Sequence, residues 1–405
     1  GPYVLKDGDI VNVDVTTYFP KEHGYHGDTL GAVACCRALG ATIDTSDNSA
    51  WKVQGRAGRP SAPDEPIDVG NSGTSLRIAI SSSALCGGEA TVRLTGDSQI
   101  QNRPIGPLLR ALEQLGANAR SEKGNDMAPV LISGKLKGGT TEIECKTSQY
   151  LSSLLLAAPL AENDTEITVT LLNEPDYVQM TLDWLDRQNI RYEREQLRRF
   201  KVFGNQKYRA FDLSIPADFS SATFFLCAGA LLHDTEITLT GLDFSDSQPD
   251  KAVADYLQRM GADISVQADA VRVRTSRLRG TEIDMNKTPD ALPAMAVAGA
   301  FASGVTRLLN VPQARIKETD RIACMAAELG KLGVRAEELP DGLVVPHGSE
   351  LRPAELDGRS DHRIVMALSL ALMALQGKGS VDTAEAIRVT FPEYVDLMKR
   401  LGARI

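Results

Sequence analysis

"ALEQLGANA", residues 111–119, is a helix-like run of leucines that stops at a glycine and continues as a strand-like alternation. A glycine just past a helix end takes the left-handed backbone conformation that closes the helix at little cost. The phrase occurs six times: "RALGATI" (37–43), "ALEQLGANA", "WLDRQNIRY" (184–192), "YLQRMGADI" (256–264), "ELGKLGVRA" (328–336) and "LMKRLGARI" (397–405). The stops Gly40, Gly116, Asn189, Gly261, Gly333 and Gly402 recur about every 70 residues, a period long enough for a supersecondary unit. Asparagine serves in the third copy because it also tolerates that conformation.

Five of the copies carry a second helix of another kind, strongly apolar and opening on small polar or charged residues. These are "NSGTSLRIAISSSAL", "TSQYLSSLLLAAPL", "DFSSATFFLCAGALL", "PDALPAMAVAGAFA" and "DHRIVMALSLALMAL". A helix apolar all round belongs inside a core. Alternating strands such as "TEITVTLL" and "TEITLTGL" follow. The unit reads strand, buried helix, strand, amphipathic helix, strand, strand, and six units make an α/β protein of two three-repeat domains. The expected boundaries are an atypical segment 1–28, a first domain 29–215 and a second 216–405.

The chain has 405 residues, 42% of them hydrophobic and 24% charged, which is ordinary globular usage. Net charge −9 speaks against a broad nucleic-acid-binding surface. No apolar run reaches membrane-spanning length, and a cytoplasmic location is expected. Cys35, Cys36, Cys86, Cys145, Cys227 and Cys324 show no CxxC spacing and read as small buried apolar residues, not a zinc site or disulfide frame. Neither metal nor cofactor is expected.

Helix N-termini carry unused N–H groups and favour anions. Five polar helix starts in register, arranged around pseudo-threefold axes, would bring several such ends to one cleft between the domains. Taken singly, Ser, Thr and Asp at these starts are N-caps. The segment "QARIKETDRI" (313–322) adds dense mixed charge at a strand-to-helix seam. Together these features point to a cleft for phosphate or carboxylate ligands.

The motifs resemble the enolpyruvyl transferase family, and within it the EPSP synthases. They are "GNSGTSLR" (70–77), "TGDSQIQNRPI" (95–105), "TSQYLSSLLLAAPL" (147–160), "PDALPAMA" (289–296), "RIKETDR" (315–321), "DHR" (361–363) and "FPEY" (391–394). The resemblance runs from about Asp28 to the C-terminus. It implies a two-domain inside-out α/β barrel of six βαβαββ repeats, the first incomplete here. It also implies enolpyruvyl transfer from phosphoenolpyruvate to the 5-hydroxyl of shikimate 3-phosphate, by a monomer of the shikimate pathway without metal or cofactor. No nucleic acid or membrane is involved.

By that resemblance Asp290 takes the proton of the reacting hydroxyl and Glu318 transfers a proton at the enol carbon. Gly73, Arg103, Gln149, Arg321 and Arg363 bind phosphoenolpyruvate. Thr147, Ser148, Gln149, Tyr177, Asp290, Gln313 and Lys317 bind shikimate 3-phosphate. Arginine suits such ligands because its planar fork meets oxyanions two bonds at a time. Lys317 and Arg321, four apart, are expected on one side of a helical turn. Asn71 and Arg77 read as structural, and Glu385 with Arg388 nearby stands where some relatives place a lysine.

The nearest alternative is the UDP-N-acetylglucosamine enolpyruvyl transferase, which carries a cysteine ahead of the arginine matched by Arg103, where this chain has "LTGDSQIQNRP". A non-catalytic ring or clamp of the same repeats would want a basic inner surface. Residues 1–28 instead resemble a fragment of methionine aminopeptidase, with Asp14 and Asp28 matching two carboxylate ligands of its metal site. In copies two to six the polar motif precedes the closing residue by 41–43 positions, so the first would fall at or before residue 1. The alternating "YVLKDGDIVNVDVTTYF" favours a strand there. The expectation is that 1–28 is foreign sequence replacing the first buried helix and the Ser-Lys-Ser…Arg motif of the family. It leaves a gap beside the next helix and a chain with little or no turnover, an inactive family member.

Overall fold

The computed structural model describes residues 2–6, 27–47, 50–267, 270–403 and 405. The chain forms two compact units, Gly1–Ile215 and Pro216–Ile405.

The first repeat of unit 1 contains β1 (Pro2–Lys6), α1 (Gly27–Ala38), β2 (Thr42–Asp44) and β3 (Lys52–Gln54). The second runs β4 (Ile67–Asp68), α2 (Gly73–Ser83), β5 (Val92–Thr95), α3 (Gly106–Gln114), β6 (Ala117–Ser121) and β7 (Val130–Gly134). The third runs β8 (Gly139–Cys145), α4 (Ser148–Ala157), β9 (Thr165–Leu172), α5 (Pro175–Arg187), β10 (Tyr192–Glu195) and β11 (Arg199–Val202); β12 (Phe211–Ser214) follows. Repeats two and three build the same sheet, in the orders β4-β5-β7-β6 and β8-β9-β11-β10. In each, the first two strands are parallel and the second runs antiparallel to the fourth.

The first sheet has the order β12-β1-β3-β2. Here β1 stands in the second place but runs antiparallel to β12 and parallel to β3, opposite to its counterparts. Pro2–Lys6 is strand, as the alternation predicts; residues 7–26, Asp14 among them, lie outside the described residues. Alongside α2 runs a mostly apolar groove lined by Ala32, Cys35 and Leu39 with Ile78, Ala79 and Leu85.

Unit 2 begins with α6 (Phe219–Leu231), β13 (Glu236–Thr240), α7 (Ala252–Arg259), β14 (Asp263–Val266) and β15 (Ala270–Arg274). The fifth repeat comprises β16 (Glu282–Asp284), α8 (Leu292–Phe301), β17 (Val305–Leu309), α9 (Arg321–Lys331), β18 (Glu337–Leu339) and β19 (Gly342–Pro346). The sixth comprises β20 (Glu355–Asp357), α10 (His362–Met373), β21 (Ser380–Asp382), α11 (Ile387–Thr390) and α12 (Tyr394–Arg400). The sheet of the fifth repeat, β16-β17-β19-β18, has the pattern of repeats two and three.

Sequence explains the division of labour among helices. All of Leu292–Ala300 in α8 is buried, and α8 packs on α6 and α10, so no polar face is needed. By contrast α9 buries Arg321, Ile322, Met325, Glu328 and Leu329, one face at helical spacing. All six stop residues have positive φ, from 56° at Asn189 to 101° at Gly333. Cys35, Cys145 and Cys227 are buried, the other three half-buried, and all six are free thiols.

Candidate active site: polar helix starts in each unit

In unit 1 the polar helix starts gather around α2 and α4. Ser72 caps α2, its hydroxyl accepting from the Ser75 N–H at 3.0 Å. The next residue, Gly73, has room for no side chain. A Cβ there would lie 2.5 Å from Nη1 of Arg103 and 2.8 Å from Nη1 of Arg77, so both guanidinium groups converge on this helix start. They are largely buried, Arg77 5% and Arg103 7% exposed. Arg77 donates to Gln149 Oε1 at 2.5 Å, Gln149 donates on to Thr74 Oγ1 at 2.8 Å, and the Arg77 guanidinium lies over the Tyr150 ring. Arg77, read from sequence as structural, is thus a second cation at Gly73. Asn71 holds Asp97 and Gln99, both at 2.6 Å, and fits its structural reading.

Thr147 and Ser148 open α4, where the anion-favouring end is filled by a residue that sequence reasoning missed. Glu174 turns its Oε2 onto Thr147 Oγ1 at 3.0 Å, Ser148 N at 3.0 Å and Ser148 Oγ at 2.7 Å. Tyr177 lies half-buried in the first turn of α5, which Glu174 begins. The only local signal for Glu174 was its place in "NEPDY".

In unit 2 the charged segment becomes three separate devices. Arg315 fastens the loop, bonding Asp320 at 2.6 Å, Glu338 at 2.8 Å and the carbonyls of Pro340 and Leu339. Asp320 caps α9 through the Ala323 N–H at 3.0 Å. Arg321, 1% exposed, binds three carboxylates: Nη1 to Asp290 at 2.6 Å, Nη2 to Glu318 at 2.5 Å, Nε to Asp361 at 2.8 Å. Lys317 Nζ and Arg363 Nη2 approach the other flanks of Asp290, each at 3.6 Å. Lys317 and Arg321 do converge, but not by helical spacing. Lys317 ends a 3-10 turn over Pro312–Ile316, α9 starts only at Arg321, and the loop between turns both toward Asp290.

Burial would raise the Asp290 carboxyl, but Lys317, Arg363 and Arg321 together hold it far below the usual range, so it stays ionised. Arg321 is buried and Arg363 partly so, which works against their charge, yet the surrounding carboxylates raise both. Burial pushes His362, beside this cluster on α10, down to about 4. Gln313 is 1% exposed and donates to the Asn286 carbonyl at 2.8 Å; its Oε1 is buried with no hydrogen-bond partner among the described residues. Among the described residues there is no cluster of three or more metal-ligating side chains, and no helix long and apolar enough to cross a membrane. Glu385 and Arg388 fall in the short turns after β21.

Fold and sites together define a repeat-built α/β protein whose buried helices begin among cations, hydroxyls and carboxylates. Residues 25–398 match the family model of EPSP synthase (3-phosphoshikimate 1-carboxyvinyltransferase). The 3-phosphoshikimate 1-carboxyvinyltransferase of Acetivibrio thermocellus is 51% identical over 378 residues, covering 93% of this chain and 88% of the relative. Those of Ruminiclostridium cellulolyticum and Methanococcoides burtonii are 49% and 41% identical with the same coverage. A solved EPSP synthase from Acinetobacter baumannii superposes with a TM-score of 0.76 over 98% of this chain and 95% of that one. At 24% identity it supports the fold alone. The chain belongs to the EPSP synthase family.

Proposed function

We propose that this chain carries the enolpyruvyl-transfer chemistry of its family, joining phosphoenolpyruvate to the 5-hydroxyl of shikimate 3-phosphate with release of phosphate. The observation that carries this reading is the Asp290 cluster: an ionised carboxylate held by Lys317, Arg321 and Arg363, with Glu318 on the same guanidinium. Asp290 accepts the hydroxyl proton as the oxygen adds to C2 of the enol, and Glu318 delivers a proton to C3. In the second step C3 loses a proton and phosphate departs with its bonding electrons, restoring the double bond. Lys317 and Arg363 neutralise the anionic ligands. In unit 1, the Arg103 and Arg77 guanidinium groups converge on Gly73 at the start of α2 and would meet a ligand oxyanion there.

The test is phosphate release from the full chain, which should require both substrates at once. Asp290→Asn and Glu318→Gln should each lower the rate of release about 100-fold or more while retaining binding. Turnover with a UDP-amino sugar in place of shikimate 3-phosphate, or unchanged rates in both variants, would overturn the reading.

A further inference from the structure

The start of α4 already holds an anion, and the protein supplies it. Glu174 is 2% exposed and sits at the seam between β9 and α5 with left-handed backbone, φ 58° and ψ 50°. A single carboxylate oxygen takes the Thr147 hydroxyl, the Ser148 N–H and the Ser148 hydroxyl. These are groups that, by the family resemblance, bind shikimate 3-phosphate. Two anions crowded onto one helix start repel each other, and the donors can serve only one of them.

We propose that Glu174 is an internal stand-in anion, displaced when a phosphoryl group binds at Thr147 and Ser148, and that this exchange sets the selectivity of the pocket. A carboxylate ligand gains little by replacing a carboxylate already in place. A phosphate monoester dianion brings three acceptor oxygens and more charge, so it alone displaces Glu174 with profit. Gln149, next in the chain, is bonded to Arg77, which places a cation beside the entering dianion. The backbone is suited to exchange: Glu174 is a non-glycine residue at positive φ, a strained conformation, and releasing the three bonds lets it relax.

The ligand's identity rests on the proposed function, but the exchange does not, so inorganic phosphate is the primary probe. Thermal unfolding of the full chain is followed in rising phosphate, against acetate at equal ionic strength. Wild type should respond weakly to phosphate and not to acetate, Glu174→Gln and Glu174→Ala should be stabilised by phosphate and should also begin to respond to acetate, and adding Ser148→Ala to Glu174→Gln should reduce both gains. By calorimetry, Glu174→Gln should bind shikimate 3-phosphate about tenfold more tightly than wild type. Equal phosphate responses in wild type and both Glu174 variants would overturn the exchange, as would weaker shikimate 3-phosphate binding by Glu174→Gln. A phosphate gain confined to the Glu174 variants, with no shikimate 3-phosphate binding by either protein, would uphold the exchange and sink the ligand assignment.

Discussion

Replacing Arg321 by methionine removes the one guanidinium that Asp290, Glu318 and Asp361 share. Their side chains are 23%, 13% and 0% exposed, against 1% for Arg321, so water cannot take over its role. Removing one member of a buried pair typically costs about 3–5 kcal/mol, because the partner's charge stays behind unpaired. Lys317 and Arg363 still flank Asp290, which favours the middle of that range, about 4 kcal/mol. For a unit the size of Pro216–Ile405, each kcal/mol moves the midpoint roughly 2–4 °C. The transition of unit 2 should therefore fall by roughly 8–16 °C in scanning calorimetry. Adding Asp361→Asn should recover part of the loss by removing a stranded charge. Arg315→Met should cost about 1 kcal/mol, since Arg315 and its partners are partly exposed. A drop below 3 °C for Arg321→Met would refute the view that this residue is a buried hub before it is a ligand for substrate.

Gly73→Ala would push a methyl group at Arg103 and Arg77; the guanidinium ends can shift, so stability should change by about 1 kcal/mol. Phosphoenolpyruvate binding by calorimetry should nevertheless weaken roughly tenfold, and unchanged binding would remove Gly73 from the site. His362 titrates at about 4 when folded and near 6.5 when unfolded. Its contribution is thus complete above 6.5 and is lost as pH falls from 6.5 toward 4, because the unfolded chain takes up the proton first. Urea unfolding at pH 7 and pH 5 should differ by about 2 kcal/mol on this account. The difference should shrink in His362→Gln. Asp290, held low by its cations, adds a loss only below the ordinary aspartate range, so the two effects separate by pH.

The repeat was legible because its signals are local. A helix stop is one residue's backbone preference, and Gly40 through Gly402 each carry it in their own surroundings. Complete burial of α8 is likewise written in Leu292–Ala300. The electrostatic partners were not legible in the same way. "DHR" drew attention to Arg363, yet Asp361 of the same motif bonds Arg321 across forty positions, through the placing of α9 and α10. Glu174 reaches Ser148 across 26 positions only because β8 and β9 run side by side. For Lys317 and Arg321 the spacing led to the right neighbourhood by the wrong geometry, since a loop's path is set by its anchors, here Arg315 and Asp320.

The reversed β1 shows what a sheet position in this architecture demands. Backbone donors and acceptors repeat in either direction, so a short extended segment satisfies the ladder whichever way it runs. What it prevents is exposure. Without Pro2–Lys6, the edges of Phe211–Ser214 and Lys52–Gln54 would offer bare N–H and C=O groups to other molecules of the same chain. Five residues thereby cover two strand edges, and trimming them should drive concentration-dependent clumping while leaving the Asp290 cluster of unit 2 untouched.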